Sequence, residues 1–240
     1  MESDFEPAYL LHARPYRDTQ LIIECFSREH GRLAAVARGV KGGGKRAREL
    51  AAALQPFQLL EIRWRGHGEL KTLVDVESRQ PLRLAGNSLF CALYVNEITL
   101  RALHRLDAHP LLWSGYETAL KTMADCSAKD NEALQVILRR YELQLLAELG
   151  YGLDFYHDTA SGAPIAAQAR YKLSNDGGFY QVPAADQGYL GADLLALAQA
   201  LEQSATLDQS KLRDLKRICR QALVPLVGAA PLKSRALFTR

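Results

Sequence analysis

The chain has few cysteines, and none is spaced to hold a metal or to form a redox pair. Cys25, Cys91, Cys126 and Cys219 are widely separated and form no C-x-x-C pair, which excludes a zinc ribbon and a thioredoxin-type site. Isolated cysteines in a chain of this size are typical of reduced, mostly buried apolar residues. We therefore expect no metal and no cofactor.

Long apolar segments and catalytic constellations are also missing. No uninterrupted apolar run approaches the roughly 20 residues that cross a bilayer. Residues 1–7 are acidic where a secretory signal would be basic and then apolar, so we expect a cytosolic protein. The sequence has six histidines, but no serine lies in a nucleophile turn with which a histidine and an aspartate could form a catalytic triad. We therefore predict that the protein is not an enzyme and has no catalytic residue.

Size and charge favour a folded protein with local basic patches. Of the 240 residues, 48% are hydrophobic, and the length fits two domains or one large domain. The net charge is only +3, so basic character must come from clusters and not from the whole surface.

The strongest such cluster, the basic segment, spans residues 38–48. Seven arginines and lysines lie between Arg28 and Arg48, and Glu29 is the only acid among them. Glycines between the cations let the backbone approach a polyanion, while the cations attract it. The pattern predicts a phosphate-neutralising, DNA-binding surface made by Arg38, Lys41, Lys45, Arg46 and Arg48.

Two other interpretations of the basic segment stay open. A charge run flanked by glycine is commonly a solvated, mobile loop. Gly39-x-x-x-x-Gly44-Lys45 also matches the first part of a nucleotide-binding phosphate loop, in which a hydroxyl should follow the lysine to hold magnesium. Arg46 stands at that position and cannot ligate a cation, which disfavours a nucleotide-hydrolysing switch.

The first eighty residues show the pattern of a small β-barrel. Short runs of strand type are separated by turn residues, with one long excursion after the third. The runs cover residues 8–13, 19–26, 32–37, 56–64 and 69–76. Five strands with an insertion between the third and fourth predict an oligonucleotide-binding (OB) barrel over residues 1–80.

OB barrels bind single strands by combining a positive groove with aromatic faces on which bases stack. The large aromatics of the predicted barrel are Tyr9, Tyr16, Phe26, Phe57 and Trp64. Most should fill the interior of so small a barrel. Tyr16 lies in a polar turn between Arg14 and Arg17, so these three residues join the predicted DNA-binding set.

After Pro81 the apolar period changes from two to about 3.6, which predicts a mainly α-helical domain over residues 81–240. Helices are expected at 87–104, 111–124, 130–149, 192–203 and 212–226. An irregular insertion at about 151–188 should contain a hairpin at 171–180. Glu97 and Arg101 are spaced for an ion pair along one helix. The fold class is therefore α+β with more than one domain.

Eight segments in order along the chain resemble the RecO family of bacterial DNA repair proteins. They are residues 10–19, 30–39, 54–57, 66–72, 94–97, 139–146, 149–152 and 232–235. The resemblance implies an OB barrel, a helical carboxyl-terminal domain and a recombination mediator without catalytic turnover, and we expect a monomer. It also implies binding to single- and double-stranded DNA, annealing of complementary strands, and contact with the C-terminal tail of the single-stranded DNA-binding protein SSB. Cooperation with RecR would then place RecA on gapped DNA.

A second basic region suits the acidic tail that the resemblance gives to SSB. Residues 211–240 contain eight arginines and lysines and one acid, Asp214. A basic rim around an apolar pocket would bind such a tail, and we predict that Arg139, Arg140, Lys233 and Arg235 form it. The alternative is that these arginines pair with Glu142, Glu148 or helix-end carbonyls. A further alternative is a protein-only scaffold, which binds other proteins and no DNA, but this alternative gives the basic segment no role.

The insertion departs from the family pattern. Many relatives hold a zinc ion between two C-x-x-C pairs, whereas Asp158 and Ser161 occupy the positions of the first pair here. Without thiolates we expect no zinc, so packing and turn hydrogen bonds must hold this region. His157 is a lone imidazole, which is a poor candidate for a metal ligand.

Overall fold

The computed structural model describes residues 4–79, 81–127, 130–174, 177–203 and 207–239. Internal contacts divide the chain into two compact units, Met1–Lys129 with Pro231–Arg240 and Asp130–Ala230. The boundary predicted at residues 80 and 81 lies within the first unit, where strands give way to helices.

The first unit begins with a closed five-stranded barrel. Its strands are joined in the order β1-β2-β3-β5-β4. They are β1 (Glu6–Tyr16), β2 (Gln20–Ser27), β3 (Gly31–Ala37), β4 (Leu59–Arg65) and β5 (Leu70–Ser78), and helix α1 (Lys45–Ala53) lies between β3 and β4. This order confirms the predicted OB-like barrel and the helical region that follows it.

Two features close the barrel. Strand β1 is 11 residues long, and its register shifts between Leu10 and His12. It pairs with β4 at its start and with β2 over most of its length, because a bulge lets a strand bend from one partner to the next. A short parallel pairing of β3 with β5 completes the circle.

Alternate residues of the strands fill the barrel interior, as the period of two requires. Among them Ile23, Leu33, Leu60 and Ile62 are at most 1% exposed. Val40 and Leu54, from the two ends of the β3–β4 connection, join the same apolar cluster. The connection that carries the basic segment is therefore anchored in the core at both ends.

Helices α2 (Asn87–Ala102) and α3 (Pro110–Asp125) belong to the same unit and pack on the outside of the barrel. Tyr116 packs against Tyr9 and Phe26, with ring centroids 5.1 and 5.8 Å apart. Asn96 donates to the carbonyl of Leu11 (3.1 Å) and accepts from the Tyr116 hydroxyl at 2.5 Å. One outer face of β1 and β2 is thus covered by protein.

The carboxyl-terminal segment returns to α2. The 3₁₀ helix Lys233–Thr239 is held by Glu97, which accepts from the backbone N–H groups of Lys233 (3.0 Å) and Ser234 (2.9 Å). Glu97 also makes the predicted ion pair with Arg101 at 2.6 Å. Burial alone would raise the pKa of Glu97, but these hydrogen bonds and Arg101 outweigh it and lower the pKa.

The second unit combines helices with a small sheet. Its helices are α4 (Asn131–Glu148), α5 (Gly191–Glu202), α6 (Gln209–Ala222) and the short α7 (Val224–Val227). Its sheet has the order β6-β8-β7-β9. The strands are β6 (Asp154–Asp158), β7 (Arg170–Leu173), β8 (Gly178–Val182) and β9 (Tyr189–Leu190). The sequence predicted only the β7–β8 hairpin of this sheet.

Candidate nucleic-acid interface

The basic segment is fixed to the barrel at several points. Val40 is 6% exposed and lies in the barrel core, and the N–H of Lys41 donates to the carbonyl of Thr19 at 3.3 Å. Gly39 has a φ of +72°, a left-handed conformation that glycine adopts at little cost, and it turns the chain between Arg38 and Val40. The side chains of Arg38 and Lys41 are therefore exposed on an anchored stretch of backbone.

Three of the predicted DNA-binding cations lie on α1, which the sequence did not predict to be helical. Lys45, Arg46 and Arg48 are exposed, whereas Ala47 is buried. The helix begins after Gly44, which provides no side-chain cap. Three alanines at 51–53 and Leu50 carry the helix-forming preference, but the triple glycine before it suggested a loop.

Cations in the first turn of a helix face an unfavourable dipole. The amino-terminal end of a helix carries about half a positive charge and exposes free N–H groups. Lys45 and Arg46 add two full charges there, and the first turn of α1 contains no acid. Such an end attracts an anionic ligand such as a phosphate.

The β1–β2 turn lies beside the basic segment, because Lys41 bonds to Thr19 within that turn. Arg17 has a φ of +51° and its guanidinium lies 5.3 Å from the ring centroid of Tyr16. Tyr16 is half-buried and Arg17 is exposed. Arg14, two residues before Tyr16 on β1, is also exposed and lies opposite Ile22 of β2. The structure thus brings together Tyr16, Arg17 and Lys41.

The positive charge of this surface is largely uncompensated. Lys45 lies 3.8 Å from Glu49, with both side chains exposed, and an exposed pair of this kind contributes at most about 1 kcal/mol. Within the described residues, the structure gives no ion pair to six other cations. These are Arg14, Arg17, Arg38, Lys41, Arg46 and Arg48. These six side chains are therefore available to bind a polyanion.

Most of the barrel aromatics lie in packed positions. Tyr9, Phe26, Phe57 and Trp64 are at most 5% exposed. Tyr16 is the aromatic of the predicted set that reaches the surface, as a half-buried residue. Any base stacking on the predicted aromatics would therefore depend on Tyr16.

Comparisons with known proteins place the chain in a family. Models described as "Recombination protein O N terminal" and "Recombination protein O C terminal" match residues 1–82 and 83–236. The DNA repair protein RecO of Cellvibrio japonicus is 41% identical, over 100% of this chain and 98% of that protein. The chain belongs to the RecO family.

Other RecO proteins give the same result. The DNA repair protein RecO of Alteromonas mediterranea is 40% identical over 99% of this chain and 98% of its own length. That of Yersinia pestis is 38% identical over 98% of this chain and 93% of its own length. The resemblance to RecO that the sequence motifs suggested is confirmed.

The four residues predicted to bind an acidic tail divide between the two units. In the second unit, Arg139 is 5% exposed and pairs with Glu142 at 2.7 Å, whereas Arg140 is exposed. In the first unit, Lys233 is exposed and Arg235 lies over the ring of Tyr94 at 5.9 Å. The alternative partner for Arg139, Glu142, is the one that the structure shows. Arg240 of the second basic region lies outside the described residues.

Arg140 lies beside a small apolar cavity of the second unit. The cavity holds about 10 Å³ and is lined by Val136, Arg139, Arg140, Ala200, Leu201 and Leu207. An exposed guanidinium beside aliphatic side chains is the combination that binds a carboxylate next to an apolar residue. Arg140 is therefore exposed, while Arg139 is held by Glu142, and the cavity between them has room for about one water molecule.

In the insertion, Asp158 organises the turn that the RecO resemblance assigns to a metal site in many relatives. Its buried carboxylate accepts from the N–H groups of Ala160 and Ser161, both at 2.8 Å, and from Gln181 at 2.7 Å. His157 instead pairs with Asp154 at 2.9 Å. Within the described ranges, no group of three or more His, Cys, Asp or Glu side chains is arranged to hold a metal ion.

Replacing Asp158 with alanine is expected to lower the free energy of unfolding by about 2–3 kcal/mol, because three N–H groups lose a charged acceptor. Burial opposes ionisation of Asp158, but the bonds from Ser161, Gln181 and Ala160 outweigh it and lower its pKa. Because its pKa is lowered, the ionised Asp158 carboxylate stabilises the fold at pH values above 3.8, the ordinary pKa of an aspartate. This contribution is lost as the pH falls below that value.

Urea unfolding of the wild type and of Asp158→Ala at pH 7 and in acid checks this prediction. The difference between the two proteins should shrink as the pH falls below about 4. Asp158→Asn keeps one acceptor oxygen and should lose less. An equal difference at all pH values would contradict the role of the ionised carboxylate.

Among the helices of the described ranges, none has the length and apolar content that a bilayer span requires.

Proposed function

We propose that this protein acts in DNA repair and recombination by binding the backbone of single- and double-stranded DNA and annealing complementary strands, without catalytic turnover. The observation that carries the proposal is the anchored basic segment. Its cations are exposed and largely uncompensated, and they are continuous with the β1–β2 turn and with the amino terminus of α1. Membership of the RecO family supports the same role, since relatives are named DNA repair proteins.

Binding would rest on counterion release. Each phosphate neutralised by a lysine or arginine frees a condensed cation, so affinity falls steeply with salt and depends little on base sequence. Arg14, Arg17, Arg38, Lys41, Lys45, Arg46 and Arg48 form this footprint. Tyr16 adds one face on which a base can stack.

Annealing requires no acid or base in the protein. Two complementary strands repel each other through their phosphates, and a cationic surface screens that repulsion while the bases stay free to pair. The protein would therefore raise the rate of productive encounter and leave the pairing to the bases.

The proposed protein partners are SSB, RecR and, through them, RecA. The carboxylate of an acidic tail that ends in an apolar residue would bind the exposed guanidinium of Arg140, and the apolar end would pack on the surface beside the half-buried Val136 and Leu201. Lys233 and Arg235, in the first unit, form a separate proposed contact for such a tail. RecR would help this protein place RecA on gapped DNA.

The tail site is tested with a labelled acidic peptide that ends in an apolar residue. Arg140→Ala is expected to weaken binding about 10- to 100-fold, the effect of losing a hydrogen bond to a charged group. The Lys233→Ala/Arg235→Ala double variant should also weaken it. Lys216→Ala, which removes an exposed cation from α6, is the matched control. Equal affinity of all variants would reject this placement.

Strand annealing on SSB-coated oligonucleotides tests the proposed function as a whole. The purified protein should accelerate pairing of two complementary labelled strands without any nucleotide. A protein-only scaffold would bind the SSB but fail to shift a bare oligonucleotide, and a nucleotide-hydrolysing switch would release phosphate with magnesium. Either result would replace the proposal.

A further inference from the structure

Strand β5 has an edge that the barrel does not use. On the β3 side, pairing covers only Leu70, Lys71 and Thr72 of β5. Strand β3 ends at Ala37 and the chain then turns away at Gly39. Within the described residues, no strand pairs with this side of β5 from residue 73 to residue 78. At roughly 3.3 Å per residue, this edge is about 20 Å long.

The hydrogen-bonding groups of this edge point away from β4. The N–H of Arg79 donates to the carbonyl of Leu59 at 2.9 Å, and direction alternates along an antiparallel strand. The N–H groups of Glu77 and Asp75 therefore face β4, and those of Ser78 and Val76 face the other way. In agreement, the N–H of Val76 bonds to the carboxylate of its neighbour Asp75 at 3.0 Å, a bond that a strand pairing with this edge would replace.

The edge opens into a cleft whose other wall is α1. The cleft holds about 860 Å³. Its lining is mostly aliphatic, from Ala47, Leu50, Ala53, Leu73, Val74 and Val76, with Arg38 and Arg46 also on its surface. An extended chain laid along β5 would place apolar side chains against these aliphatic groups.

The charge around the cleft is positive once the cations beside its lining are included. The lining has two arginines and two carboxylates, and each carboxylate has a further cation nearby: Asp75 lies 3.7 Å from Arg63 and Glu49 lies 3.8 Å from Lys45. Arg38 and Arg46 are exposed, and the described part of the chain gives neither an ion pair. The complementary occupant is therefore acidic.

We propose that this cleft docks an extended, acidic and apolar peptide segment of a partner protein by strand addition to β5. Its backbone would continue the sheet in the place that β3 vacates, and one carboxylate would bind Arg38 and Arg46. A polypeptide supplies the alternating donors and acceptors that a strand edge needs. Nucleic acid does not, and the cleft lining contains no aromatic side chain for base stacking.

This inference goes beyond DNA binding and links to it through two residues. Arg38 and Arg46 belong both to the cleft and to the proposed DNA footprint. Peptide and DNA should therefore compete, and a docked partner would lower the affinity for DNA.

The test uses a labelled peptide of alternating aspartate and valine, acetylated and amidated at its ends. It should bind the full-length protein with a dissociation constant below about 1 mM, the range of weak specific binding. Methylating its alternate backbone nitrogens should abolish binding, because the peptide can then no longer donate backbone hydrogen bonds to the edge of β5. Its lysine–valine counterpart should not bind. In amide NMR spectra, the signals of Val76 and Ser78 should shift on addition of the peptide.

Val76→Pro removes one outward N–H and leaves the β4 ladder intact, which proline permits on an edge. It should weaken peptide binding at least about tenfold relative to Val76→Ala, which loses a similar amount of side chain. Oligonucleotide affinity should stay within about twofold for both variants. No binding by the peptide, or equal binding by its methylated form, would overturn the proposal.

The outcomes also separate this inference from the proposed function. If Val76→Pro weakens DNA binding and leaves peptide binding unchanged, the cleft is a nucleic-acid path and the inference is wrong. If the protein ignores oligonucleotides but binds the peptide as described, the inference stands and the DNA-binding proposal fails.

Discussion

Replacing Arg38, Lys41, Lys45 and Arg46 with alanine is expected to lower the affinity for single-stranded DNA about 100-fold or more near 0.1 M salt. Each lost phosphate contact removes about 0.7 from the slope of log affinity against log salt, so four contacts remove roughly 3. Fluorescence anisotropy of a labelled oligonucleotide over a salt series measures both quantities. The side chains are exposed and outside the barrel core, so the variant should fold.

A matched variant separates the site from the net charge. Alanine at Lys211, Arg213, Lys216 and Arg220 removes the same number of positive charges from α6, in the second unit. It should change the slope of log affinity against log salt much less than the fourfold alanine variant of the basic segment does. If both variants reduce the slope equally, overall charge governs binding and the basic segment loses its special role.

The second large effect is expected in the second unit, where Arg139→Ala should lower the free energy of unfolding by about 3–5 kcal/mol. Arg139 and Glu142 are 5% and 1% exposed and lie 2.7 Å apart. Removing one member of a buried ion pair leaves the other charge in a poorly solvated position. Burial, with the negative charge of Glu142 adding to it, already raises the pKa of the neighbouring Cys219 thiol well above its ordinary value. Denaturant unfolding of the wild type and of Arg139→Ala measures this loss in the free energy of unfolding.

The double variant Arg139→Met/Glu142→Leu is the control for the ion pair. Replacing both charges with apolar groups of similar volume is often neutral or stabilising, so most of the lost stability should return. A loss below about 1 kcal/mol for Arg139→Ala would show that the pair is not the stabilising element described here.

The barrel could be predicted from the sequence because its signals are local. Alternating apolar residues mark each strand, and the glycine turn at Gly31 joins the second strand to the third. Gly31 has a φ of +65°, a left-handed conformation that glycine adopts at little cost. Strand count and the position of the insertion then indicate the OB order without any long-range information.

Helix α1 was missed because its signals conflict. Three glycines precede it and three cations occupy its first four positions, a composition typical of a solvated loop. What forms the helix is tertiary packing: Ala47 is buried, and Leu50 and Ala51 pack against the barrel cluster. Such packing overrides a weak local preference and cannot be read from neighbouring residues.

The candidate site was predictable in composition but not in arrangement. Charge density alone selected the cations of the basic segment. The bond from Lys41 to Thr19, which brings the β1–β2 turn beside them, joins residues 22 positions apart and leaves no local pattern. The free edge of β5 is likewise a property of where β3 ends, since pairing partners are set by the closed barrel.

The most direct test of DNA binding by this protein is a titration of the unmodified protein with a labelled single-stranded oligonucleotide in dilute buffer, repeated as salt is added. We expect tight binding at low salt, with log affinity falling linearly as log salt rises and little dependence on base sequence. An oligonucleotide that stays unbound at low salt, or an affinity that salt does not change, would contradict this expectation.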